Sequence, residues 1–422
     1  MGYGTKYLSI GEDIDPEEYV ICEYWAESTM PIEEAASAIA AEQSTGTWTD
    51  VSTFTDDIFK SYGGKVIEIV KETDHKGSMK IAFPNDDMSV EVGGIPQILS
   101  VIAGNLFGLE DLVNVRINDV HFPKAIVDKF KGPKFGLRGL KELLDMPPER
   151  PLIGTIVKPK IGLGPKEFAN YVYEGGMGGL TNSKDDETLT NQSFCPIEAR
   201  TIAVSDAIDR IYDESGHKLV HAINVSTRSD EIVELAEKVQ EWGARQIMID
   251  VLTCGYTALQ SLAEDPSIKL PIHVHRTMHA AFTRNPLHGI SMTVVSKLVR
   301  LCGGDALHIG TFGVGKMHGS SDEDLKYQHA LIDEMYGLKT LMPVASGGMY
   351  PGAIPALMKV AGGDLQIQAG GGVSGHPKGI RAGAMAMSQA VDSVLNNVPI
   401  EEYAQDHEEL KLAIEKWGAV NV

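Results

Sequence analysis

Eight short apolar runs, each ending in polar or glycine residues and each followed by a helical stretch, limit this chain to very few folds. They are "LIGTIVKPK" from residue 152, "GLTNSKDDE" from 179, "LVHAINVS" from 219, "QIMIDVLTCG" from 246, "PIHVHRTMH" from 271, "ALHIGTFGVGK" from 306, "TLMPVASGG" from 340 and "LQIQAGGG" from 365. Eight strand–helix units predict a (β/α)8 TIM barrel; a doubly wound sheet is the alternative, but it usually has fewer strands. In a barrel the polar ends of all eight runs meet at one face, where active sites form.

The preceding residues read differently. "YVICEYWAES", "KVIEIVKE", "SMKIAFP" and "VNVRINDVHFP" are strand-like, and "PIEEAASAIAAEQS" and "GGIPQILSVIAGNLFG" are helical. Pro31 suits a first helical turn, and "TDHKG" suits a hairpin. The order strand, helix, strand, strand, helix, strand predicts an α+β ferredoxin-like domain. The expected division is residues 1–132 and 133–422, with the boundary in "KFKGPKFG".

Acidic residues outnumber basic ones, 58 to 37, for a net charge of −21. Such a surface repels nucleic acid and anionic membranes, and an anionic substrate needs a local basic pocket. The four cysteines, Cys22, Cys195, Cys254 and Cys302, show no C-x-x-C spacing, so they suggest neither a zinc ribbon nor a redox dithiol, and their small number suits a reducing cytosol. No basic n-region precedes an apolar core at the N-terminus, and no apolar run is expected to cross a bilayer, so a cytoplasmic location is expected.

"GGLTNSKDDE" places Lys184 before Asp185, Asp186 and Glu187. A salt bridge is the ordinary reading. The alternative is a lysine that, with Lys158 and Lys160 nearby, loses its proton, attacks CO2 and becomes an anionic carbamate. With Asp186 and Glu187 the carbamate would give a hard oxygen triad suited to Mg2+. Asp185 is expected to point away, toward a structural partner. Lys158 and Lys160, two apart in "KPK", are expected on one strand face, as proton donor or acceptor or as a solvated basic loop. "HVHRTMH" supplies His273, His275, Arg276 and His279. His-x-His also fits zinc hydrolases of this fold, but these expect the pair early in the barrel and an aspartate on the last strand, where this chain has "QAGGG". Gly310, Gly313 and Gly315 suggest a mobile loop carrying Lys316 as a lid. "SGGMYPG" and "AGGGVSG" suggest backbone amides converging on phosphate, with Arg276 and His308 opposite at a second phosphate site.

Together these stretches resemble the large subunit of ribulose-1,5-bisphosphate carboxylase/oxygenase (RuBisCO), over nearly the whole chain from "AEQSTGTWT" to "GGGVSGHPKG". "GGLTNSKDDE", "KPKIGLG", "HVHRTMHAAF" and "GTFGVGKM" look like that family's signatures, in order. The resemblance implies Mg2+ held by carbamylated Lys184, Asp186 and Glu187, with CO2 as activator. It implies proton transfer by Lys158, Lys160 and His275, and Lys316 closing over the new carboxylate, paired with Glu42. Arg276, His308 and Ser346 would hold one phosphate; Gly347, Gly348, Gln368, Gly370 and Gly371, with Thr47 and Trp48, would hold the rest of the substrate. Asn105 would contact metal and substrate. Glu42, Thr47, Trp48 and Asn105 would reach the barrel of a neighbouring subunit, implying a homodimer or an assembly of dimers with shared sites. The implied partners are ribulose 1,5-bisphosphate, CO2 and O2, without small subunit, nucleic acid or membrane.

"GTFGVGKM" and "HAAFTRNPLHGISM" look most like archaeal form III enzymes, of nucleoside-phosphate salvage or a reductive pentose pathway. One departure is Met317–His318 after Lys316, where an acidic second residue is expected. The rival within the fold is a RuBisCO-like isomerase or enolase; the presence of Glu42, Asn105, Lys158, His308 and Lys316 argues against it.

Overall fold

The computed structural model describes residues 4–47, 49, 51–315 and 320–420. It contains two compact units. Unit 1 comprises Met1–Lys131, Met278–Cys302 and Met335–Leu338, and unit 2 comprises Gly132–Thr277, Gly303–Glu334 and Lys339–Val422.

Unit 1 is built on strands β1 (Tyr19–Ser28), β2 (Lys65–Thr73), β3 (Lys76–Pro84) and β4 (Leu112–His121), with helices Ile32–Glu42 and Val90–Ile102 in the crossovers. The sheet order is β4-β1-β3-β2, antiparallel throughout, which is the ferredoxin-like arrangement. Strict alternation in β1 buries Val20, Cys22, Tyr24 and Ala26 on one face. The Tyr24 hydroxyl donates to the carbonyl of Ile102, 2.8 Å away, pinning the second helix to that face. A later strand, β10 (Gly289–Ile290), extends the sheet by pairing parallel to β4, and Ser291 Oγ donates to Asn118 O at 2.6 Å. Helix Met292–Cys302 follows and packs against β4.

The sequence suggested no membrane-length apolar run, yet Val90–Gly108 reaches a mean hydropathy of 1.3. The structure explains that apolarity as core. The helix is interrupted at Gly94 (φ 55°) and ends at Ile102, and Ile95, Ile98, Ile102 and Leu106 are buried within unit 1.

Unit 2 is a closed barrel of eight parallel strands: β5 (Leu152–Ile156), β6 (Asn182–Lys184), β7 (Val220–Asn224), β8 (Gln246–Asp250), β9 (Ile272–His275), β11 (Ala306–Gly310), β12 (Met342–Ser346) and β13 (Gln366–Gln368). These strands are buried on both faces, which is why they read as apolar runs rather than alternating ones. Leu152, Val220, Ala306, Met342 and Val344 form an apolar cluster with Leu140 and Leu144. Asp305 ties helix Gly136–Leu143 to the barrel: its Oδ1 accepts from Phe135 N and Gly136 N at 2.7 and 2.8 Å, and its Oδ2 from Ile272 N at 2.8 Å. Further along the barrel the interior turns polar. Asn182 donates to Gln246, Gln366 donates to Asn182 and Gln368, and Gln368 donates to the carbonyl of Thr155, all at 2.7–3.0 Å. Gly154 makes room for this network, since a Cβ there would lie 2.1 Å from Gln368 Oε1.

Candidate active site

Lys184 is the last residue of β6, and its side chain is 1% exposed. Its Nζ donates to Asp185 O at 2.8 Å and lies 3.8 Å from Glu187 Oε2. Burial pushes its amine below the usual lysine range, against the opposing pull of Glu187, Asp186, Asp250 and Asp185. The physical cause differs from the expected repulsion by neighbouring lysines. β5 ends at Ile156, so Lys158 and Lys160 lie beyond the strand, where alternation no longer aligns them. Lys158 Nζ instead donates to Asp186 Oδ2 at 2.8 Å, and Lys160 is exposed. Burial acts to raise Asp186, but the Lys158 ammonium and the Thr188 donors outweigh it and hold the carboxyl below its ordinary range.

Asp185 points away from this group, as expected. Its Oδ2 accepts from Arg200 Nη2 at 3.0 Å and Asn224 N at 2.8 Å, and its Oδ1 lies 3.0 Å from His221 Nε2. Asp185 and Arg200 are both fully buried. Arg200 also donates to the carbonyls of Cys195 and Thr190 at 2.7 Å. This network fixes the backbone from which Lys184 and Asp186 project to the other side.

Across the barrel mouth, His275 closes β9, with Nε2 3.7 Å from Glu187 Oε2 and Nδ1 3.5 Å from Asp250 Oδ1. Burial and the Lys184 charge push its imidazole down, so it is neutral near pH 7. His308 is held between two partners: Nε2 lies 2.8 Å from His273 Nε2 and Nδ1 2.6 Å from Ser346 Oγ. Burial and mutual repulsion with neighbouring cations push both His273 and His308 well down. One ring donates its Nε2 proton and the other accepts it, so at least one of the two rings is neutral. Arg276 follows His275; burial brings its guanidinium down to about 10, against the opposing pull of Asp324 and Tyr327.

β12 ends at Ser346, and Gly347 and Gly348 follow with φ of 115° and 77°, which only glycine adopts freely. Gly370 lies against Lys158, since a Cβ there would be 3.2 Å from Lys158 Cε, whereas Gly371 faces open space. Gln368, expected among the substrate contacts, has both ends of its amide engaged inside the barrel and is 1% exposed. Two of the three loop glycines also differ from expectation. They are close-approach positions rather than hinges: a Cβ at Gly310 would lie 2.2 Å from the Asp324 carboxylate, and one at Gly315 2.6 Å from Gly347 O. Asp324 Oδ2 accepts from Thr311 N and Phe312 N at 2.9 and 2.7 Å, pinning the turn that leads to Lys316. Lys316, Met317, His318 and Trp48 lie outside the described residues.

Glu42, Thr47 and Asn105 belong to unit 1. Glu42 ends helix Ile32–Glu42, and Asn105 precedes the turn Leu106–Gly108. Gln43 ties the two places together by donating to Val101 O at 2.6 Å. His279 also lies in unit 1, with its Nδ1 2.8 Å from Thr283 Oγ1, so only two of the three clustered histidines belong to the barrel.

Ordinary His, Cys, Asp and Glu side chains do not assemble a metal cluster among the described residues. The Lys184–Asp186–Glu187 group lies outside such a tally, because its third donor becomes an oxygen anion only when the amine takes up CO2. Two carboxylates beside a buried amine of lowered basicity fit a hard divalent cation on that condition.

The family model for the ribulose bisphosphate carboxylase large chain, catalytic domain, matches residues 136–417, and that for the N-terminal domain of the same chain matches 10–126. The chain belongs to the ribulose bisphosphate carboxylase large-chain family. It is 41% identical to "Ribulose bisphosphate carboxylase" of Methanocaldococcus jannaschii, over 92% of this chain and 94% of that one. The octameric RuBisCO of Pyrococcus horikoshii, crystallised with sulfate, superposes with a TM-score of 0.93 at 37% identity, covering 100% of this chain and 98% of that one. The dimeric archaeal RuBisCO of Hyperthermus butylicus gives 0.90 at 36% identity, covering 99% and 100%.

Within this RuBisCO framework, sequence reasoning left Asp250, Asp324 and Arg200 without roles. Asp250 carried a readable signal, a lone acid closing the apolar run "QIMID". Asp324 and Arg200 sit in helices whose sequences give no sign of what the carboxylate or guanidinium reaches.

Proposed function

We propose that this chain carboxylates ribulose 1,5-bisphosphate to two molecules of 3-phosphoglycerate, with oxygenation by O2 as a competing reaction. The observation that carries the reading is the buried Lys184 amine, lowered in basicity and adjacent to Asp186 and Glu187. The Lys184 ammonium gives one proton to solvent; the neutral amine then attacks CO2, the N–C bond forms as a C=O π pair moves onto oxygen, and a second proton leaves the nitrogen to solvent, so an anion replaces a cation. Carbamylated Lys184, Asp186 and Glu187 would then hold Mg2+, which supplies positive charge for the developing enediolate.

The remaining chemistry falls to the chain's own groups. The Lys184 carbamate accepts the C3 proton of the substrate. Lys158, whose ammonium rests on Asp186, would exchange that carboxylate for substrate and protonate the final carbanion, with Lys160 tuning it. Neutral His275 serves proton transfer during hydration. Arg276, His308 and Ser346 bind one phosphate; the amides of Gly347, Gly348, Gly370 and Gly371, with Thr47 and Trp48, bind the other end. Gln368 supports the barrel floor beneath them. Lys316, paired with Glu42, closes the site over CO2, and Asn105 completes it. The active unit is a homodimer or an assembly of dimers without a small subunit, a reading supported by the dimeric and octameric archaeal neighbours. Archaeal form III kinship favours a role in AMP and nucleoside-phosphate salvage or in CO2 fixation.

The test is fixation of labelled CO2 into 3-phosphoglycerate from ribulose 1,5-bisphosphate, anaerobically, with and without preincubation in CO2 and Mg2+. Fixation that requires preincubation is the expected result. Folded protein that fixes nothing but isomerises a methylthio-ketose phosphate overturns the reading.

A further inference from the structure

The opposite end of the barrel carries a second concavity. A cavity of about 430 Å3 opens where β7, β8 and β9 begin, lined by Lys218–Val220, Ala244–Arg245 and Lys269–Pro271 and bounded by Phe135, Leu143 and Leu144 at the helix that caps this end. It lies at the start of the same strands whose far ends carry Asn224, Asp250 and His275. Its volume falls within the usual range for small-molecule sites, roughly 300–1,000 Å3.

Two properties define what it would take. Its body is apolar, formed by leucine, valine, proline and phenylalanine side chains, and at its mouth Leu143 and Tyr212 stay exposed at 38% and 51%. Its lining also carries three basic residues, Lys218, Arg245 and Lys269, on a chain whose net charge is −21. Lys218 and Arg245 are each paired with an acid on the protein, Asp145 and Asp209. No ion pair or side-chain hydrogen bond of the exposed Lys269 ammonium is found among the described residues. An acidic protein that collects three cations in the lining of an apolar recess, one of them uncommitted, offers charge complementarity to an anion with an apolar body.

We infer that this cavity binds a small amphiphilic carboxylate of the medium-chain fatty acid class, its hydrocarbon body among Leu143, Leu144, Leu219 and Leu270 and its carboxylate at Lys269. Such a ligand satisfies both parts of the site at once. A neutral alcohol of the same length fills only the body, and an inorganic anion meets only the basic residues.

The full-length enzyme is titrated with decanoate by calorimetry, with decanol and inorganic phosphate as controls. Decanoate is expected to bind, and Lys269→Glu to weaken it at least tenfold by placing a like charge at the head group. Ala244→Phe, which fills the recess, is expected to abolish binding; retained circular dichroism and thermal midpoint show that each variant is folded. Lys184→Ala, at the other end of the barrel, should bind decanoate as the parent does. Equal affinity for decanol and decanoate overturns the assignment of the basic residues, and loss of binding in Lys184→Ala relocates the ligand to the catalytic end. Absence of decanoate binding, with Lys269→Glu changing the oligomeric state instead, identifies the recess as a contact between copies and refutes the ligand.

Discussion

Replacing Arg200 with Met tests whether the buried pair behind the metal loop holds the site together. The substitution keeps side-chain bulk but leaves the Asp185 carboxylate, fully buried, with only His221 and the Asn224 amide as partners. Breaking one side of such a pair costs about 3–5 kcal/mol, because the remaining charge stays desolvated. For a domain of this size each kcal/mol moves the midpoint by roughly 2–4 °C, so a loss of about 6–20 °C is expected. Differential scanning calorimetry at fixed protein concentration measures it, since an oligomer's midpoint depends on concentration. The sign with pH follows from the Asp185 carboxyl. Burial acts to raise it, and Arg200, His221 and the Asn224 amide overcome that and hold it low. A carboxyl lowered on folding gives stability that is fully present above its unfolded value of about 3.9 and is lost as pH falls through the folded one. Arg200→Met should therefore narrow the difference in midpoint between neutral and acid solution. Because Asp185 lies between Lys184 and Asp186, the variant should also weaken Mg2+-dependent activation, while Arg200→Lys, which retains the charge, should fall between. A midpoint shift below about 2 °C with unchanged activation by Mg2+ would refute the argument.

Lys184→Met should remove carboxylase activity, and intact-protein mass spectrometry of trapped samples should lose the mass increment of one CO2 that the parent shows after incubation with CO2 and Mg2+. Folding lowers the basicity of His273 and His308, so the unfolded chain binds more protons; stability should fall as pH drops below about 6.5, and a flat midpoint–pH profile there would contradict neutral histidines. Gly310→Ala should displace Asp324 from the Thr311 and Phe312 amides and lower carboxylation more than it lowers the thermal midpoint. Gly154→Ala should destabilise the barrel by about 1–3 kcal/mol through Gln368, measured by calorimetry.

The barrel was legible because its strands are buried on both faces, so apolar runs and their polar ends mark both the element and the working face. Lys184, His275 and His308 could be read as pocket residues because each closes a strand or lies near its end. The alternation argument failed at Lys158 and Lys160 because β5 stops at Ile156, and a period of two has no meaning in a loop. Gln368 was a substrate contact only by family resemblance; its own pattern, a polar residue at a strand end, is ambiguous. Its alternative partners, Gln366 and Thr155, become visible only when β13 and β5 lie side by side. The glycines near Lys316 showed the same ambiguity, since a residue without a side chain serves flexibility and close packing equally well in sequence.

The return of residues 278–302 to unit 1 sets an order of assembly during synthesis. β10 and helix Met292–Cys302 emerge from the ribosome only after five barrel strands, β5 to β9, have been made. Until then β4 is an open edge, and the first unit is still incomplete when the second is more than half translated. The barrel in turn closes only when β13 reaches β5, near residue 368. Unit 1 has all its residues only at 338 and the barrel all its strands only near 368, so a nascent chain paused between residues 275 and 300 would hold both in an unfinished state at once.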